Sequence, residues 1–253
     1  MTLSLDTLRR EGDAFHETLS RELYASGAGL KSTAELQPIY ARHANILGPE
    51  ALELTLEAFK GSTEGSEERR SARLLLDWQA ESQSGRQLAE LDERAIAWES
   101  SAVVRVDHGR EIPFESVSIE LANSTNAAER HMIETARAKV VESELAPIRR
   151  EHFQRERDIT EQLGLAPNYN ATFELLSDVS LADLKAECEQ FLRDTQSLWD
   201  EVLPEFAKRV LGMSASELTR ADALALFRAR EFDGYFPARH MESSIRKQVQ
   251  QMG

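Results

Sequence analysis

The sequence predicts a mostly α fold, an elongated multi-helix bundle with one small β-hairpin at about residues 102–119. Three observations carry this. Ala, Leu, Glu and Arg dominate, while Gly (12) and Pro (7) are few, a composition that favours helix. Apolar residues recur in steps of three and four along most of the chain, the period of one buried helix face. That period gives way to alternation in one place, where β-branched residues flank Asp107-His108-Gly109.

The first helix runs from about Ser4 to Ala25, with Leu5, Leu8, Phe15, Leu19 and Leu23 facing inward and Gly27 and Gly29 stopping it. Ser32-x-x-Glu35 reads as a capping box for a second helix ending near Leu47, with Pro38 early in it. Gly48-Pro49 breaks the chain before a third helix, Glu50 to Lys60. After a polar loop, Glu67 to Gln83 and Arg86 to Ser100 read as two helices separated by Gly85, with Leu74, Leu75, Trp78, Leu88, Leu91, Ile96 and Trp98 as core positions. The hairpin pairs Ala102–Val106 with Arg110–Ile119, and Gly109 supplies the turn. A charged helix from Ala127 to Gln162 follows, roughly 50 Å long at 1.5 Å per residue and bent at Pro147. His131 and His152 fall on what reads as its solvated, ion-paired face.

The stretch Asp158–Gly212 is the expected organising element. A short helix from Asn170 to Leu176 leads to a long one opened by Ser180-x-x-Asp183, with Leu181, Leu184, Cys188, Phe191, Leu192, Thr195, Leu198, Trp199 and Leu203 on the face expected to be buried. Pro204 lies near its end. Beyond Gly212 come a short helix, Arg220 to Ala229, an aromatic turn through Phe232, Tyr235 and Phe236, and a final polar helix. With no linker or repeat in view, a single helical domain over 1–253 is the simplest division, subdivided if at all into 1–100 and 101–253.

The net charge of −14 argues against a nucleic-acid partner, because phosphates would be repelled. No apolar run approaches the ~20 residues that span a bilayer, and residues 1–13 lack a secretory core, so no membrane partner is expected. The lone Cys188, read as a small core residue, fits a cytoplasmic location.

The search for chemistry excludes more than it finds. Six His occur, but none has a second His four residues on, so the H-E-x-x-H zinc helix is missing. Glu-x-x-His pairs for a di-metal bundle, glycine-rich phosphate loops and G-x-S-x-G are missing too. No catalytic or metal-binding residue can be assigned, and no cofactor is expected in this chain. Were a groove present, Tyr169, Tyr235 and His240 would offer polar tips in it. The plainer reading is that Phe232, Tyr235 and Phe236 dock the last helix.

The order of elements resembles the N-terminal helical half of the oligoendopeptidase F and thimet oligopeptidase family of zinc metallopeptidases. The resemblance rests on VVRVDHGREIPFESV, on AERHMIETARAKVVESELAPIRRE, on the G-x-x-N-Y-like LGLAPNYNATFELLSDVSLADLKAECEQFLRDTQSLWDEVL, and on RADALALFRAREFDGYFPARHM. It covers roughly residues 100–250. It implies a substrate-groove wall that would hydrolyse oligopeptides only with a C-terminal catalytic half. Zinc and its ligands would lie in that half, downstream of Gly253. The expected partners are therefore such a half, a second copy of the chain, or a peptide ligand, and an exposed apolar face should mark where the half would sit. The alternative is a stand-alone helical module that binds a peptide or protein without catalysis.

Overall fold

A computed structural model of the protein describes residues 3–252 and is mostly helical with one small sheet. The helices are α1 (Leu5–Gly27), α2 (Leu36–Arg42), α3 (Pro49–Gly61), α4 (Glu67–Ser101), α5 (Val117–Asn123), α6 (Ala127–Val140), α7 (Ala146–Gln162), α8 (Tyr169–Ser177), α9 (Leu181–Leu211), α10 (Ala223–Leu226) and α11 (Met241–Met252). Strands β1 (Val103–Arg105) and β2 (Glu111–Pro113) pair as the hairpin. Two compact units result. The first holds residues up to 104, 113–115 and 138–196, the second 105–112, 116–137 and 197 onward.

In the first unit α4 is the scaffold. Ser66 caps it by accepting the Arg69 N–H at 3.1 Å. Leu75 and Ala89 join Leu8, Phe15, Ile39, Tyr40 and Leu47 in one core cluster. Leu76 and Ala80 meet Leu52, Phe59 and Leu176 in a second. Leu88 and Leu91 pack against Ile159 in a third. A helix covered on several sides repays burial of each large aliphatic side chain by about 1.5–3 kcal/mol.

Gly85 does not separate two helices, as expected, but sits inside the 35-residue α4. The reason is a close approach. A Cβ built at Gly85 would overlap the Tyr40 hydroxyl and lie 3.1 Å from its Cζ. Tyr40, buried on α2, thus lies where the helix carries no side chain. Burial pushes the Tyr40 phenol up, with the charges of Asp92 and Glu81 adding to the effect.

Helix α2 is shorter than expected and is not capped by Ser32. Its free N–H groups at Leu36 and Gln37 donate to Glu93 Oε1 of α4, at 2.6 and 2.9 Å. The cap comes from 57 residues away, so no local pattern could reveal it. The hairpin is also shorter than expected. Its strands have three residues each, and Val117 to Asn123 is helical because Val117 and Leu121, one turn apart, are both buried. The expected long charged helix is divided by a π-turn over Val141–Leu145 just before Pro147, which has no N–H to continue the α ladder.

In the second unit, the charged helix hides its largest secret. Arg130 of α6 is 1% exposed rather than part of a solvated face. Its Nε and Nη2 donate to Asp222 Oδ1 at 2.9 and 2.6 Å, and its Nη1 donates to the Ser124 carbonyl at 3.1 Å. Asp222 Oδ2 accepts from the Thr219 N–H and hydroxyl, both at 2.8 Å. Every face of the ion pair is bonded, the condition under which a buried pair is tolerated. Burial by itself would raise the Asp222 carboxyl. The Thr219 and Arg130 bonds outweigh it and hold the group below its ordinary value.

The largest departure concerns α9. Its expected buried face is exposed: Phe191 is 65% accessible, Leu192 61%, Leu198 61% and Trp199 50%, and Ala207 is its sole buried residue. Cys188 is exposed with them and is not a core residue. Phe232, Tyr235 and Phe236 are also exposed and do not bury the last helix.

Two predictions follow from this packing. Gly85→Ala should lower the melting temperature, although Ala in a helix interior ordinarily adds about 1 kcal/mol over Gly. Adding Tyr40→Phe should return part of the loss, since it removes the overlapping oxygen; a melt in which Gly85→Ala alone is stabilising would contradict the close approach. Asp222→Ala should cost about 3–5 kcal/mol by stranding a buried guanidinium. Because the folded Asp222 pKa is depressed, its stabilisation is complete above the unfolded value of about 3.9 and is lost as pH falls through the folded one. Wild type and Asp222→Ala melts should therefore converge towards low pH.

Candidate functional site

The first unit contains a cleft of about 430 Å3 walled by α4, α7 and α8. Asp77, Glu81, Leu88 and Asp92 enter it from α4, His152, Glu156 and Thr160 from α7, and Tyr169, Thr172, Phe173 and Leu176 from α8. The spacing explains the α4 wall: positions 77, 81, 88 and 92 recur at helical intervals and share one side. Asn168 starts α8 by accepting the Ala171 N–H at 3.0 Å. Arg73 of α4 donates to the Leu176 carbonyl at 2.6 Å, near the end of the same helix. Asp178 ends α8 in the left-handed conformation, φ 61°.

A polar chain crosses the cleft. His152 Nε2 lies 3.0 Å from Asp92 Oδ1, its Nδ1 lies 3.8 Å from Glu156 Oε2, and the Tyr169 hydroxyl donates to Glu156 Oε1 at 3.2 Å. Asp92 is held above the usual carboxylate range chiefly by burial, against the pull of His152. Tyr169 is raised by burial and by the neighbouring Glu156. Burial also raises Asp77 and Glu81; Arg73 tempers the first, and the Asp77 charge adds to the second.

The three residues expected to offer polar tips fall in different units. Tyr169 stands in the cleft, whereas Tyr235 and His240 belong to the second unit and line no described part of it. Tyr235 is 79% exposed. His152, assigned from sequence to a solvated face, is instead a member of the cleft. The signal that could have found it was the run of carboxylates at 77, 81 and 92 on one face of α4, opposite a His and a Glu four residues apart.

A second feature is the exposed apolar side chains of α9: Leu184, Phe191 and Leu192 in the first unit, and Leu198, Trp199 and Val202 in the second. Acidic side chains flank them at Glu187, Asp194 and Glu201. A larger hollow of about 1140 Å3 lies over Arg69, Arg70 and Arg73. Two of those guanidiniums already serve backbone carbonyls, Arg69 those of Phe59 and Ser62, and Arg73 that of Leu176, so it offers less free chemistry.

Among the described residues no three His, Cys, Asp or Glu side chains are placed to hold a metal ion. No described helix is long and apolar enough to cross a membrane. Comparison with family models, with curated proteins and with solved structures gave no match for this chain.

Removing the unpaired charges should relieve the cleft. The raised Asp77 and Glu81 pKa values mean that the folded state holds protons more tightly than the unfolded one. Their contribution is favourable below the unfolded values near 4 and is lost as pH rises through the folded ones. Asp77→Asn with Glu81→Gln should melt higher than wild type at pH 7, and the gain should vanish below about pH 4. A lower melt at pH 7 would show that the carboxylates are compensated.

Proposed function

We propose that this chain is the non-catalytic, substrate-groove portion of a zinc-metallopeptidase-like protein, acting on oligopeptides only when a catalytic half is docked to it. The observation that carries the reading is the uncovered stripe of α9. Six large apolar side chains on α9 are 44–65% exposed, so covering each would add part of the about 1.5–3 kcal/mol that full burial contributes. Contiguous patches of this kind mark contact surfaces. The stripe falls within the segment whose pattern resembles the peptidase family, and the missing H-E-x-x-H gives the docked half its task. The exposed free thiol of Cys188 fits a reducing, cytoplasmic setting.

A second reading, a stand-alone helical binding module, is favoured by the cleft, which is complete within the first unit and needs no second half to form.

The test is reconstitution. The chain alone, supplied with zinc and quenched oligopeptides, should show no chelator-sensitive turnover. Mixed with a separately expressed H-E-x-x-H half of an oligoendopeptidase F-type enzyme, it should raise turnover above that of the half alone. Phe191→Glu with Leu198→Glu should remove most of that gain, because a charge buried at an apolar contact is costly. Turnover by the chain alone, or a mixture no more active than the half, would overturn the proposal.

A further inference from the structure

We infer that α11 and the aromatic turn before it form a self-association surface, in which the α11 helices of two copies of this chain pack antiparallel along their apolar stripes. The inference goes beyond the peptidase reading and uses none of the α9 surface on which that reading rests.

It starts from a helix without a core. Among the described residues every other α-helix buries at least one residue, and α11 buries none. Yet its sequence is not that of a helix built for water on all sides. Met241, Ile245, Val249 and Met252 recur at steps of four, four and three, which sets them on one face. They are 55–79% exposed. A helix of 12 residues with no tertiary cover is marginal in water, because so short a segment hardly offsets the cost of its first turn. Its internal ion pair, Arg246 with Glu242 at 2.9 Å, adds little at the surface. A cover over the stripe supplies what the helix itself lacks.

Charge selects a second copy as that cover. Glu242 is already paired with Arg246, and at about 100° per residue Lys247 falls on the side away from the stripe. No unpaired charge therefore borders the stripe, and two such stripes meet without like charges opposing. The exposed Trp199 and Val202 of α9, in the same unit, are the contrary case. Glu201 and Glu205 run beside them, so two copies meeting there would set carboxylate against carboxylate. A lipid surface fits α11 less well. Interfacial helices carry Lys and Arg on the polar side, whereas the polar positions of α11 are mostly Ser and Gln, and the chain's charge of −14 repels anionic headgroups.

The spacing fixes the direction. In an antiparallel pair centred near residue 247, Ile245 faces the partner's Val249 and Met241 faces the partner's Met252. Branched chain meets branched chain, thioether meets thioether, and the helix dipoles run opposite. The last turn of each helix then ends beside the partner's aromatic turn, which leads into α11 through residues 237–240. In that turn the Phe232 and Tyr235 rings are 6.4 Å apart, yet Phe232, Tyr235 and Phe236 stay 52–80% exposed. Size shows that the turn is needed. At about 100 Å2 for each covered aliphatic chain, the two stripes alone fall short of the roughly 1,000 Å2 at which specific interfaces begin. Three aromatics per copy, at roughly 150–250 Å2 apiece when fully covered, carry the surface past that mark.

Sedimentation equilibrium of the full chain tests this. The mass should rise from 28.5 kDa towards twice that value over roughly 1–100 μM, the affinity range of small interfaces. Ile245→Glu with Val249→Glu should weaken association at least about tenfold, because each carboxylate is taken out of water against an apolar neighbour. Circular dichroism melts establish that this variant is folded, and only wild type should melt higher as its concentration rises. Gln250→Glu, on the opposite side of α11, should leave the dimer intact. So should Phe191→Glu with Leu198→Glu on α9, which separates failure of this inference from failure of the peptidase reading. In a Cys188→Ser background, oxidation should link Met241→Cys chains to Met252→Cys chains faster than it links either to itself. The proposal is overturned by a single species of monomer mass up to ~200 μM, a concentration that covers weak dimers. It is equally overturned by a dimer indifferent to Ile245→Glu with Val249→Glu, or by self-linked Met241→Cys chains as the main product. Binding of the monomer to phosphatidylcholine–phosphatidylserine vesicles, lost in the same double variant, would assign the face to lipid instead and overturn it too.

Discussion

The first unit depends on the absence of one side chain. At Gly85 helix α4 has nothing on its surface, and the Tyr40 ring comes up against the backbone there. This lets α2 lie close along α4, where Glu93 reaches the two free N–H groups at the start of α2. The approach and the cap cooperate. The ring fixes the distance between the helices, and the carboxylate fixes the rotation of α2 about its own axis. Gly85 also borders the cleft.

The second unit solves a different problem. It is small, and its central contact is polar: Arg130 and Asp222, 92 residues apart. A buried guanidinium is costly unless every donor is matched. Here the carboxylate, the Ser124 carbonyl and the Met213 sulfur share the donors, while Thr219 occupies the other carboxylate oxygen. Such a contact contributes less net stability than an apolar core of similar volume, but it admits few alternatives. A helix rotated by one residue would strand both charges. That penalty holds α6 to the segment carrying Asp222.

Much of the architecture was legible. The Ser180 cap, the breaks at Gly48 and Gly212, and the 3.6-residue period placed most helices to within a few residues, because those signals act within one turn of the backbone. What failed was non-local. Ser32 and Glu35 look like a capping box, but Glu93 outcompetes them from another helix. Gly85 looks like a break because the reason for it, Tyr40, lies 45 positions earlier in the sequence. Arg130 looks solvated because its partner lies far along the chain. His152 and Tyr169 are ordinary residues until α7 and α8 bring them to one cleft. Of the site, only Tyr169 was anticipated.

Helix α9 shows the limit of periodicity most plainly. Hydrophobic burial is non-directional, so an apolar stripe does not specify what would cover it. The same spacing that would seat a core helix also describes a contact surface. Local terms suffice to keep α9 helical without cover: Ser180 accepts the Asp183 N–H at 3.2 Å, Lys185 faces Glu189 at 3.7 Å, and Gln190 donates to Asp194 at 2.6 Å. Each is worth only a fraction of a kcal/mol to about one, yet over 31 residues they sum with intrinsic propensity. A helix sustained by its own polar contacts can present an apolar face ready-made. It then orders few residues when it is covered, and keeps more of the gain from burial as affinity.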